Sequence, residues 1–150
     1  GLGDVYKRQG MKQSQKLLLT WLIEDTRLFD SIKGWITEED FTEPLYRKAA
    51  QELFTQYGES GQVNPAKIIS RFQEEEEQKE IAGLFNAKIH EVETKQDKEK
   101  ALKETIERIK ENSIDVRSRQ SDPNDLTVVM QLINEQKELE KLKKTHISID

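Results

Sequence analysis

An all-α fold is what this sequence predicts: a helical bundle of five to six short helices followed by a long two-helix hairpin. Three observations predict it. Apolar residues recur at three-and-four spacing along most of the chain, the period of one helix face. Alternating runs of β-branched and aromatic residues, which would mark strands, are few. Helix-start signals such as Thr37-Glu-Glu-Asp40 and Asn64-Pro65 stand before the periodic segments.

Residues Gly1 to Gly10 are set apart from this pattern. Asp4-Val-Tyr-Lys-Arg-Gln9 spells the in-frame translation of a transposon end used in sequencing libraries. The segment is read as a non-native scar and excluded from the fold. The native reading then starts near Met11, and the chain is expected to be an internal piece of a longer protein.

The first helix is expected from about Lys12 to Glu24. Leu17, Leu18, Leu19, Trp21, Leu22 and Ile23 cover most of its circumference, which places it at the centre of a bundle. Asp25 is placed as the cap of a short second helix carrying Leu28, Phe29 and Ile32, and Gly34 as its left-handed end. Thr37-Glu-Glu-Asp-Phe41 starts one short turn. Pro44 then opens a stronger helix to about Tyr57, with the stripe Leu45, Tyr46, Ala49, Ala50, Leu53, Phe54, Tyr57, broken by Gly58-Glu-Ser-Gly61. Asn64-Pro65 caps a helix from Ala66 to Phe72. Another begins in the acidic run Glu74 to Glu77 and carries Ile81, Ala82, Leu84 and Phe85. A loop through Ile89 and Val92 closes a first unit, residues 11–96.

The second unit, residues 97–150, reads as two long helices joined by the polar turn Ser118-Arg-Gln-Ser-Asp-Pro-Asn-Asp125. The first carries Leu102, Ile106, Ile109 and Val116. At roughly 23 residues and ~1.5 Å each it would be about 35 Å long and stand out from the bundle. The second carries Leu126, Val129, Met130, Ile133, Leu139 and Leu142, with Asp122-Pro123 as cap and first residue. These stripes either pack on each other and on the bundle or meet another protein. The ending His146-Ile-Ser-Ile-Asp150 sets two isoleucines at the chain end, where apolar residues need a cover. Leu139, Leu142, His146, Ile147 and Ile149 are therefore the candidate partner-binding residues. On this reading the terminal residues could be removed without cost to the bundle.

Composition limits the chemistry. With 34% hydrophobic and 35% charged residues, core-formers are lean, but their periodic order argues against disorder. Residues 11–96 hold 11 basic and 16 acidic side chains, and residues 97–150 hold 11 and 12. Neither segment has the basic surplus of a phosphate-binding surface. The absence of cysteine excludes disulfides, thiolate nucleophiles and cysteine-based zinc sites. The longest apolar run, Leu17 to Ile23, is far too short to span a bilayer, and a cytoplasmic location is expected. His90 and His146 are the only histidines and lie apart. They are read as structural or surface residues rather than ligands. Glu74 to Glu77 is read as a solvated helix start favoured by the helix dipole. No glycine-rich phosphate loop and no nucleophile–base set is found. No catalytic residue, metal or cofactor is implied, and the fragment is not expected to be an enzyme.

Six segments, in order, carry a resemblance. They are Leu17-Leu-Leu-Thr-Trp-Leu-Ile-Glu24, Ile36-Thr-Glu-Glu-Asp-Phe-Thr-Glu-Pro-Leu-Tyr46, Val63-Asn-Pro-Ala-Lys-Ile-Ile69, Glu80-Ile-Ala-Gly-Leu-Phe-Asn86, Ala101-Leu-Lys-Glu-Thr-Ile-Glu-Arg-Ile-Lys110 and Leu142-Lys-Lys-Thr-His-Ile-Ser-Ile149. Together they resemble the C-terminal helicase-binding domain of bacterial replicative DNA primase, DnaG, of the Gram-positive kind. The resemblance implies a bundle followed by a hairpin that docks on the N-terminal domains of the hexameric replicative helicase, with the hairpin as main tether. It also implies modulation of helicase activity and primer synthesis, a monomer when alone, and zinc-binding and polymerase domains upstream. The rival is the N-terminal domain of the helicase itself, which shares the bundle fold, or another self-associating structural bundle.

Overall fold

The computed structural model describes residues 2–86 and 94–149, with side chains from residue 7 onward. Ile89, His90 and Val92 lie outside the described residues. The fold is all-α, with no strand among the described residues. Seven helices are described: α1 Leu2–Glu24, α2 Leu28–Ile32, α3 Pro44–Ser60, α4 Pro65–Ser70, α5 Glu75–Asn86, α6 Lys95–Gln120 and α7 Leu126–Lys143. One 3₁₀ turn, Glu38–Asp40, precedes α3.

α1 is the centre, as its wrap-around apolar surface requires. It touches α2, α3, α5 and α6. Leu18, Leu19, Trp21 and Leu22 are all buried. The helix starts at Leu2 rather than near Lys12. Residues 2–10 contain no proline, and Lys7, Arg8 and Gln9 are good helix formers, so the helix runs straight through Gly10. Lys7 to Gly10 are exposed, and Arg8 reaches the Glu43 carboxylate at 3.2 Å.

Gly34 does not close α2 in a left-handed conformation. Lys33, Trp35 and Ile36 donate backbone N–H bonds to the carbonyls of Phe29, Ile32 and Ile32 and end the helix without one. The left-handed glycine is Gly61, at φ 71°, whose N–H donates to the Tyr57 carbonyl. α3 therefore runs through Gly58 and stops three residues later than expected. Asn64 caps α4, accepting from the Lys67 N–H at 3.2 Å, with Pro65 as first helical residue. Phe29 of α2 stacks on Tyr57 and meets Phe54 edge-on, with centroids 4.0 and 4.9 Å apart, which ties α2 to α3.

The largest departure concerns α6. With 26 residues it is about 39 Å long, yet it does not stand clear of the bundle. It lies along α1 and also packs on the 3₁₀ turn and α7. Its inner residues Leu102, Ile106 and Ile109 join Leu18, Phe41, Leu53, Leu139 and Ile147 in one continuous core. The expected boundary between residues 96 and 97 is not a boundary of the core. Three residues with few bundle neighbours in sequence find them in space because α1 is long enough to flank α6. Val116, expected on the buried stripe, is only half-buried; Ile114 is buried in its place.

α6 and α7 run antiparallel, joined by a short turn. Asp122 and Pro123 belong to that turn rather than to the helix. The Asp122 carboxylate accepts from the Asn124 N–H at 2.9 Å, and the Asp125 N–H donates to the Asp122 carbonyl, the usual behaviour of Asx-Pro in a turn. Asp125 is the cap, accepting from the Val128 N–H.

Candidate docking surface

The apolar residues of α7 do not form one stripe. Ile133 and Leu139 are six residues apart, which at about 100° per residue turns the second group to the far side of the helix. Leu139 and Leu142 are buried in the core. Leu126, Met130 and Ile133 point the other way and are 72%, 69% and 52% exposed. Among the described residues they are the exposed large hydrophobic side chains. Their i, i+4, i+7 spacing sets them in a row along the first two turns of α7. The inner side of those turns carries half-buried Val128 and Leu132, and Leu132 packs on the core. The outer row ends at exposed Lys137 and Lys141.

Four of the five candidate residues are therefore not free to meet a partner. Leu139, Leu142, Ile147 and Ile149 are 1%, 0%, 3% and 7% exposed. The chain covers its own end. After α7 the segment 144–149 folds back across α6 and α2. The Ile149 N–H donates to the buried Glu99 carboxylate at 2.8 Å, and Ser31 Oγ donates to the Ser148 carbonyl at 2.8 Å. Lys103 Nζ donates to the Lys143 carbonyl at 2.9 Å. Of the five candidates His146 alone is exposed, with Nε2 3.5 Å from Glu99. The two terminal isoleucines did need a cover, and the covering surface is the chain itself.

Between the outer row and this anchored end lies a cluster of charge. Asp40, in the 3₁₀ turn, is 1% exposed. Its carboxylate accepts from Lys110 Nζ at 3.2 Å, from Ser113 Oγ at 2.7 Å and from Arg117 Nη2 at 3.3 Å. It also accepts from the Thr37 N–H at 2.9 Å, closing the turn on itself. Glu135 of α7 accepts from Lys110 Nζ at 2.9 Å and from both Arg117 Nη atoms. Burial pushes the Glu135 carboxyl up, but the bonds from Arg117 and Lys110 outweigh it and leave its pKa below the ordinary value. The bond to Glu135 likewise raises the Arg117 pKa, against the opposing effect of burial. Two carboxylates thus meet two cations, and among the described residues no buried side-chain polar atom lacks a partner.

Sequence reasoning passed over this cluster. Its signal was present: Lys110, Ser113 and Arg117 continue the face of Leu102, Ile106 and Ile109, so polar residues occupy positions that periodicity assigns to the interior. A second polar bridge lies beside it. The buried Gln15 side chain of α1 donates to Thr42 Oγ1 and accepts from the Glu43 N–H, while Asn112 of α6 donates to the same Thr42 hydroxyl.

Among the described residues no group of three or more histidine, aspartate or glutamate side chains converges as metal ligands. No described helix is long and apolar enough to cross a membrane. The open groove between α1 and α6, lined among others by Lys7, Arg108, Glu111, Asp115 and Ser118, mixes both charges. In comparisons with known proteins, no family model matches the chain, and no curated protein or solved structure matches it.

Proposed function

We propose that this chain is the helicase-binding domain of a bacterial replicative DNA primase. In this reading it docks primase on the hexameric replicative helicase in the cytoplasm and modulates helicase activity and primer synthesis. It does no catalysis of its own, and α1–α5 form the bundle while α6 and α7 form the hairpin. Six ordered sequence segments support the reading, together with the all-α fold. The observation that carries it is the row Leu126, Met130 and Ile133, exposed at the end of the α6–α7 pair and opposite the face that α7 uses for its own core. Apolar side chains in a row gain free energy when covered, at about 25 cal/mol per Å², and an isolated row on a helix suits a helix from another protein. The docking residues are accordingly moved from the buried chain end to this row.

The test is titration of the whole chain with a Gram-positive hexameric helicase, followed by calorimetry. Saturable binding that disappears in Leu126→Ser/Met130→Ser/Ile133→Ser supports the reading. Absence of binding by the parent chain overturns it. The rival, a helicase N-terminal domain or other self-associating bundle, would use the same row to pair copies of this chain. Sedimentation separates the two: a monomer at micromolar concentration fits the primase domain, a ring or stable dimer fits the rival.

A further inference from the structure

We infer that the outer face of α7 takes an α-helix of another protein whose apolar row is preceded by carboxylates, docked antiparallel to α7 so that the carboxylates meet Lys137 and Lys141. That this helix belongs to the replicative helicase rests on the docking reading above; the selection by charge does not.

The face is longer than its apolar part. Leu126, Met130, Ile133, Lys137 and Lys141 follow one another at three- and four-residue steps. At about 100° per residue all five fall within about 80° of the helix circumference, in a strip about 22 Å long. All five are exposed. The strip lies opposite the side on which Leu139 and Leu142 enter the core. It is one continuous surface, apolar over its first half and cationic over its second.

The cations are free. Among the described residues neither ammonium group has a hydrogen-bond or ion-pair partner. The acids of the same stretch are turned aside: Glu140 pairs with Lys143 at 3.4 Å, and Glu138 stands about 100° round the helix from Lys137. The dipole of α7 favours Lys141, which lies in the last turn, but its reach does not extend to Lys137. The chain as a whole is acidic, at net charge −5, so two unpaired lysines continuing an apolar row stand out against their surroundings.

Complementarity names the occupant. A second copy does not fit. Paired parallel through this strip, two copies would set Lys137 and Lys141 against the same lysines. Paired antiparallel over its length, Leu126 would face Lys141 and Met130 would face Lys137. Either way the ammonium groups meet like charge or apolar surface. A helix with apolar side chains opposite Leu126, Met130 and Ile133 and carboxylates opposite the lysines satisfies the whole strip. Helices favour acids in their first turn and bases in their last. A partner that carries its carboxylates first therefore lies antiparallel to α7, with the two dipoles opposed.

Two synthetic helical peptides test this. One carries Glu, Glu, Leu, Leu and Leu at the spacing of Lys141, Lys137, Ile133, Met130 and Leu126 read backwards, on an alanine and glutamine background with a staple on its outer side. The other has lysine in place of both glutamates. Their affinities for the full chain are read by fluorescence anisotropy. The parent should bind the acidic peptide at least about fivefold more tightly than the basic one, although the net charge of the chain favours the reverse. Lys137→Gln/Lys141→Gln should lose the preference and Lys137→Glu/Lys141→Glu should invert it. Both positions are exposed, so both variants should melt as the parent does. A parent that binds neither peptide, or both alike, overturns the inference. So does a preference that survives in the folded glutamine variant, or a dimer of the chain that Leu126→Ser/Met130→Ser/Ile133→Ser disperses, which would give the face to a second copy. Helicase titration on the same samples separates the two claims. A parent that selects the acidic peptide but does not bind helicase removes the docking reading alone. One that binds helicase without selecting between the peptides removes the charge selection alone.

Discussion

Arg117 on α6 grips Glu135 on α7 with both guanidinium arms, at 2.7 and 2.8 Å, while its second nitrogen also reaches Asp40 at 3.3 Å. One side chain thereby joins the 3₁₀ turn to two consecutive helices far from it in sequence, α6 and α7. The pair is only partly buried, so its worth lies between that of a surface bridge and that of a fully desolvated one. Arg117→Leu leaves two carboxylates with Lys110, Ser113 and the Thr37 N–H to answer them. It is expected to cost about 1–3 kcal/mol in urea unfolding at neutral pH, more than Arg119→Leu on the exposed side of the same turn.

The same pair gives a pH dependence with a definite sign. The folded Glu135 carboxyl titrates below its ordinary value of 4.5, so the unfolded chain takes up the proton first as pH falls. The contribution of Glu135 is complete above about 4.5 and declines through the acid range below it. Urea midpoints measured from pH 6 to pH 3 should fall more steeply for the parent than for Glu135→Gln. Parallel curves would show that Glu135 carries no such linkage.

Removing residues 145–150 is expected to destabilise the whole domain, in contrast to the expectation from sequence. The truncation uncovers the sites of Ile147 and Ile149, each worth about 1.5–3 kcal/mol when fully buried, and strips the Ile149 N–H from the buried Glu99 carboxylate. A clear drop in melting temperature is the expected outcome. Unchanged melting would mean that the folded-back segment contributes nothing to the core.

Leu126→Ser, Met130→Ser and Ile133→Ser together should leave folding almost untouched, because all three are exposed and the Asp125 cap is kept, and exposed positions usually change stability by no more than about 0.5 kcal/mol each. Helicase affinity, on the proposed function, should fall at least about tenfold. A large loss of stability would show that these side chains are packed in solution.

Trp21→Ala at the centre of α1 should cost about 3–5 kcal/mol, since Trp21 is buried among the core residues. A measured loss below about 1 kcal/mol would place α1 at the periphery. Deleting residues 1–10, by contrast, should leave the melting temperature unchanged, because the described side chains of that segment, Lys7 to Gly10, are exposed.

What periodicity reports is that a residue has an apolar face to hide, not where it hides it. Leu18, Trp21, Leu22, Tyr46 and Leu53 could be placed inside because their helices have a single dense apolar side or are apolar all round. Ile147 and Ile149 could not, because the groups that hold their segment in place, Ser31 of α2 and Glu99 of α6, lie 117 and 50 residues away in sequence. The helix caps Asn64 and Thr94 depend on three-residue geometry and are local enough to be legible, although Thr94 was passed over in favour of a start at Asp97. Asp122-Pro123 matched a cap pattern that also fits a turn, and only the path of the chain into α7 separates the two. The six-residue step from Ile133 to Leu139 was the one written sign that α7 has two apolar faces.

The partnership of α1 with α6 also bears on how the molecule assembles. About seventy residues separate the end of one from the start of the other, and contacts so distant in sequence slow folding, because a long loop closes before they are rewarded. α1 is synthesised before the other described helices, apolar round most of its circumference, and the longest of its neighbours is made after the rest. During translation that helix is the surface on which chaperones or premature self-association would act, and the arrival of α6 is the step that ends the exposure.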